Sequence, residues 1–99
     1  MNPAIILVSQ DFNFVTNTIT QLNEESFNSV IERSLSSIDF EVLINELIDE
    51  NIRNITIISD DNMPVIELIE IRKILNTYKD QIHYNFEFGH YLHSEFENR

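Results

Sequence analysis

The chain predicts a small two- or three-layer α/β domain, with a mainly parallel sheet of three to four strands and three to four helices. Three observations carry that expectation. Ala4-Ile5-Ile6-Leu7-Val8 and the run of Ile55, Ile57 and Ile58 are short, apolar and largely β-branched, the mark of strands covered on both faces. Long stretches with apolar residues at helical spacing separate the strand-like segments. No short Gly-bearing turn joins any two strands, so every connection has room for a crossover helix.

Taken in order, Ala4 to Val8 is a central strand, and Ser9, Gln10 and Asp11 form a turn in which any of the three can cap the next helix. Phe12, Val15, Ile19 and Leu22 share one face of that first helix, and Asn23 to Ser26 break it. Phe27, Val30, Ile31, Leu35 and Ile38 then fit a helix weakened by Ser34, with a short strand over 27–31 as the alternative. From Asp39 to Ile52 a wide stripe of Phe40, Leu43, Ile44, Leu47, Ile48 and Ile52 predicts a helix capped by Ser36 or Ser37.

The stretch Ile52 to Lys79 is the centre of the design: a buried strand, an acidic turn and an amphipathic helix. Asp60, Asp61 and Asn62 end the strand, and Pro64 suits a first helical turn, where its missing N–H costs nothing. The helix is expected to bury Val65, Leu68, Ile69, Ile71, Leu75 and Tyr78. Its acids stand toward the start and Arg72, Lys73 and Lys79 toward the end, complementing the helix dipole. Ile82 to Phe88 alternates cleanly, with Ile82, Tyr84, Phe86 and Phe88 on one side and His83, Asn85 and Glu87 on the other, as in an edge strand. Gly89 ends it, and His90 to Arg99 forms a short helix on Leu92 and Phe96 or frays. Leu43, Leu47, Ile57, Leu68 and Phe86 are the expected core of a single domain over residues 1–99.

Seventeen acids against six bases give a formal charge of −11. Such a surface repels nucleic acid and anionic membrane and attracts cations or basic proteins. There is no Cys, hence no disulfide framework and no thiolate chemistry. The apolar run Ala4 to Val8 lacks a basic flank and is too short for a signal peptide or a membrane span, so a soluble cytoplasmic protein is expected.

Asp11, Asp60 and Asp61 follow predicted strands, at the sheet edge where ligands of parallel sheets bind. Three carboxylates there suit a hard cation such as Mg2+, although Asp also caps helices and turns chains routinely. His90 and His93, with Glu97 four further on and His83 on the strand, have zinc-like spacing, but no Cys supports them. A single glycine argues against dinucleotide and phosphate loops, and no nucleophile motif or basic patch appears. No catalysis, resident cofactor or metal is therefore expected.

The run Asp60-Asp61-Asn62-Met63-Pro64 after an apolar strand resembles the phosphoacceptor turn of response-regulator receiver domains. The resemblance implies Asp60 as the acceptor. The acidic pair that the family carries after its first strand falls here at Ser9 and Gln10, which implies a broken metal site. Glu87 stands near the family's Ser or Thr, and the chain ends before the family's last strand and its preceding Lys.

The acidic rows of the predicted 39–52 helix are Glu41, Asn45 and Asp49, then Glu46 and Glu50. Like charges four apart weaken a helix by a few tenths of a kcal/mol, so a chain that keeps them has stability to spare or a use for them. The use expected here is binding a basic partner protein through Glu41, Glu46, Asp49 and Glu50, joined by Asp60 and Asp61. That makes the chain a small acidic inhibitor of bacterial or phage origin, of the immunity-protein or antitoxin type, covering a toxin nuclease. A degenerate receiver-like signalling module and a phage-encoded DNA mimic are the alternatives.

Overall fold

The computed structural model describes residues 3–25 and 30–88. In chain order they form β1 (Ala4–Val8), α1 (Phe12–Glu25), β2 (Val30–Ser34), α2 (Ser37–Asp49), β3 (Asn54–Ser59), α3 (Val65–Thr77) and β4 (His83–Phe88). The four strands make one sheet in the order β2-β1-β3-β4, and every pair is parallel. The expected α/β architecture is what the chain adopts, with four strands and three helices among the described residues.

The order explains the layers. The chain steps from β1 to β2 in one direction, then crosses β1 to reach β3 and continues to β4. Right-handed crossovers made in opposite directions cover opposite faces of a sheet. One face accordingly buries Ile5, Leu7 and Ile58 against Val15 and Leu22 of α1. The other carries Ala4, Ile6, Val8, Ile55 and Ile57 against Phe40, Ile44 and Leu47 of α2 and Ile71 and Leu75 of α3. All five residues of β1 are buried, as a strand covered on both sides requires.

The segment read as a helix over Phe27 to Ile38 is corrected by β2 and by the start of α2. Val30 to Ser34 pairs in register with Ala4 to Val8, and Ser9 N–H donates to the Ser34 carbonyl (3.1 Å). Tertiary pairing of two β-branched residues, Val30 and Ile31, overrides a helical spacing that the chain shows only by coincidence. Leu35 and Ile38, which complete that spacing, are exposed (45% and 77%). The strand alternative is therefore right in kind, displaced toward Ser34; Phe27 lies outside the described residues.

α2 begins at a cap. Ser36 is extended and its side chain accepts from the Asp39 N–H (3.3 Å), while an Asp39 carboxylate oxygen accepts from the Leu35 N–H (3.3 Å). The helix stops at Asp49, three residues before the expected end at Ile52. Asn51 N–H bonds to the Ile48 carbonyl and Ile52 N–H to the Leu47 carbonyl, both at 2.9 Å. This is a Schellman closure, and Asn51 takes its left-handed residue at φ 64°. Ile52 keeps its place in the apolar stripe because the closure turns it back onto Leu47.

Two other expectations change at helix starts. Phe12 (70% exposed), Val65 (70%) and Ile69 (47%) are not core residues. Phe12 and Val65 are the first residues of α1 and α3, and Ile69 is turned about 100° from half-buried Leu68, which shares a face with buried Ile71 and Leu75. Of the expected core, Leu47 and Ile57 are buried, while Leu43, Leu68 and Phe86 pack against the core from partly exposed positions. Leu47→Ala should then cost about 2–5 kcal/mol and Leu68→Ala distinctly less. Urea denaturation checks this, and equal small losses would contradict the packing described.

Candidate functional site

The carboxyl ends of β1, β2 and β3 each finish in a serine with no exposed surface: Ser9, Ser34 and Ser59. A buried hydroxyl must find a partner, and each does. Ser34 Oγ donates to the Ser36 carbonyl (2.8 Å) and Ser59 Oγ to the Asp60 carbonyl (3.1 Å). Ser9 Oγ donates to Asp60 Oδ2 (2.9 Å) and accepts from the Asp11 N–H (2.9 Å).

Asp60 is the centre of this edge. Its N–H still belongs to the ladder, bonding the Val8 carbonyl at 2.9 Å, so its side chain stands beside Ser9 on the neighbouring strand. The residue is 6% exposed. Oδ1 accepts from the Asn62 N–H (3.0 Å), Oδ2 from Ser9, and the Asp60 carbonyl from Met63 N–H (3.2 Å). Both carboxylate oxygens are thus held by protein donors, the condition for keeping such a group buried. Asp11 is engaged too: its Oδ1 caps α1 by accepting from the N–H groups of Asn13 (2.9 Å) and Phe14 (3.4 Å). Gln10, Asp11, Phe12, Asp60, Asn62 and Met63 line an open depression of about 450 Å3 between β1 and β3. That is the point where the strand order reverses, the usual ligand crevice of such sheets.

The edge therefore brings Asp11 and Asp60 together as expected, but each carboxylate has a structural partner. Asp61 is exposed in the turn. Among the described residues no three His, Cys, Asp or Glu side chains gather at metal-holding distance. At the position where the receiver resemblance implies an acid, Ser9 supplies a neutral donor to Asp60 instead of a second negative charge. Glu87 lies on the edge strand opposite Ile58. His90, His93 and Glu97, the zinc-like set, lie outside the described residues.

The acids of α2 form a separate surface. Glu41, Glu46, Asp49 and Glu50 are all exposed. α2 starts at the Asp60 edge and runs away from it, so Asp49 stands roughly 18 Å from its first residue at about 1.5 Å per residue. The six expected binding acids are thus not one cluster: Glu41, Glu46 and Asp49 lie along α2 with Glu50 at its C-cap, Asp61 lies at the turn, and Asp60 is buried beneath it.

Sequence reasoning misses the apolar residues among those acids. Ile38 (77% exposed) and Val42 (53%) occupy one outward row of α2. Ser37 N–H donates to Glu67 Oε2 (2.6 Å), tying the start of α2 to the start of α3. Val65, Ile66 and Ile69 of α3 are exposed at this same end. A signal is present in the chain: Ile38 and Val42 are four apart and off the Phe40-Ile44-Leu47 stripe.

Removing the Ser9 hydroxyl tests the edge. Ser9→Ala leaves the Asp60 carboxylate buried with one donor fewer and should cost about 1–3 kcal/mol, read by chemical denaturation. A neutral result would mean that water replaces the hydroxyl.

Compared with protein-family models, curated proteins and solved structures, the chain matches none.

Proposed function

We propose that this domain works by binding a basic partner protein through the outer face of α2, as an occluding inhibitor of the immunity-protein or antitoxin type. The observation that carries the reading is the mixed character of that face. Ile38 and Val42 are exposed in one row, flanked by Glu41, Glu46, Asp49 and Glu50. Charge alone serves solubility, but outward β-branched residues among acids do not. Apolar residues ringed by charge are the ordinary anatomy of a binding surface. A rigid helix also presents its carboxylates at fixed spacing, which limits the entropy lost on binding. The partner that fits has an apolar contact surrounded by Lys and Arg, as a nuclease groove built for phosphates has. Inhibition would be occlusion, the carboxylates taking the places of substrate phosphates.

The test separates the two components. With the partner captured from the native host and identified, changing Glu46, Asp49 and Glu50 to Gln or Asn should slow association and flatten its salt dependence. Val42→Asp should mainly speed dissociation. Unchanged binding for both variants would place the interface elsewhere.

A second reading is favoured by the edge of the sheet. The order β2-β1-β3-β4, all parallel, is that of the flavodoxin-like sheets with four strands described, and Asp60 ends β3 as the receiver resemblance implies. In this reading the domain is a degenerate receiver-like module, with Ser9 standing where metal-binding acid is expected. The two readings are compatible, since a scaffold freed from phosphoryl transfer still presents its helices. Mg2+ with a phosphoryl analogue such as beryllofluoride should leave the amide shifts of Asn62 and Met63 unchanged. A saturable shift at both would make Asp60 a working acceptor.

A further inference from the structure

Among the described residues β4 ends the sheet, and its pattern is complementary to itself. His83 N–H bonds the Arg53 carbonyl (2.7 Å), and His83, Asn85 and Glu87 lie in register with Asn54, Thr56 and Ile58. In a parallel ladder alternate residues bond the neighbouring strand, so His83, Asn85 and Glu87 point their backbone groups at β3. Tyr84 and Phe86 point theirs outward, and among the described residues no strand pairs with that edge. The strand His83–Phe88 has no proline, no bulge and no lysine, three of the usual guards of an edge.

We propose that this edge pairs with β4 of a second copy, antiparallel, about a two-fold axis at Asn85. Symmetry and hydrogen bonding restrict the choices. A two-fold axis sets identical strands antiparallel, and directly opposed residues must both point outward or both inward. With the axis at Asn85, Tyr84 opposes Phe86 of the other copy and exchanges both backbone hydrogen bonds with it. On the other face the His83 imidazole, a hydrogen-bond donor, opposes the Glu87 carboxylate, and this occurs twice by symmetry. Opposite-character pairs directly across an antiparallel ladder stabilise it, and aromatic pairs do as well. Shifting the axis to Phe86 loses the His83–Glu87 match and sets Glu87 against Asn85.

The exposures fit the same partner. Tyr84 is 42% exposed although it lies on the apolar face of β4, between buried Ile82 and half-buried Phe86, over whose ring the Arg72 guanidinium sits at 5.2 Å. A second copy brings Phe86 against Tyr84. The opposite edge lacks this property. For β2, the one register that overlaps the whole strand sets Glu32 against Glu32, a like pair. Of the two edge strands among the described residues, self-recognition therefore favours β4, and it joins the described strands of two copies into one continuous sheet with both α2 helices left outward.

Sedimentation velocity across roughly a hundredfold concentration range, at about 0.15 M salt where exposed charges are screened beyond about 8 Å, tests the pairing. A monomer–dimer equilibrium is expected. Tyr84→Pro removes an outward N–H and leaves the ladder to β3 intact, and it should weaken the dimer at least about tenfold, or ~1.4 kcal/mol. His83→Glu alone should weaken it comparably by opposing two acids, and the swap His83→Glu with Glu87→His should restore it. Hydrogen exchange should protect the Tyr84 and Phe86 amides only as the dimer forms. A monomer at every concentration overturns the proposal, as does a dimer indifferent to both single variants. Protection of those two amides in the dilute monomer also overturns it, because a segment of the same chain then occupies the edge.

Discussion

The structure depends on strands that are apolar on both faces. In β1 no residue is more than 6% exposed, and in β3 Ile57 and Ile58, which point to opposite faces, are both buried. Neither strand can sit at an edge or leave a face to water, so the two must be adjacent and must be covered twice. Short β-branched strands joined by helices can satisfy that only through parallel crossovers, and crossovers in both directions are needed to cover both faces. The order β2-β1-β3-β4 and the split of α1 from α2 and α3 follow from this single burial requirement. So does the crevice, since a change of crossover direction parts the connections at the carboxyl ends of β1 and β3.

That crevice is finished in polar groups that satisfy one another. Ser9 and Asp60 bond across the junction of β1 and β3, Asn62 N–H closes the turn onto Asp60, and Asp11 caps α1 from an exposed position. A buried carboxylate with both oxygens engaged is a structural element first. The contrast with a metal-binding carboxylate lies in its surroundings: such an acid is joined by a second charge nearby, and the neutral hydroxyl of Ser9 stands beside Asp60 instead. The proposed function rests on the outer surface of α2 and not on this edge.

Much of this is legible in the chain because burial leaves a period in the text. β1 and β3 are readable from continuous apolar runs, α2 from a stripe and a serine cap, and β4 from strict alternation. The failures share a physical origin. Val30 to Ser34 carries two β-branched residues and then Glu-Arg-Ser, too short and too polar to reveal a strand without its neighbour β1. Phe12 and Val65 keep the helical phase of buried residues, yet phase says nothing of where the sheet stops beneath a helix. Ile38 and Val42 lie off the core stripe, and charges alone do not reveal apolar residues standing among them. The acids themselves fall on α2 as expected, but their division from Asp60 and Asp61 depends on which way the helix runs.

Electrostatics separates the two surfaces. With a formal charge of −11, two copies of this chain repel unless the contact lies where the acids are sparse. β4 contributes one Glu and one His across six residues, whereas α2 contributes Asp39, Glu41, Glu46 and Asp49 within thirteen. Like meets like tolerably along β4, whereas the α2 face repels a second copy of itself. The same uneven charge that opposes self-association through α2 leaves that helix outward, as the proposed binding of a basic protein requires. Pairing through β4 would then set two acidic helices on one rigid sheet, and a partner bearing two basic sites would gain from binding both at once only if its spacing matched theirs.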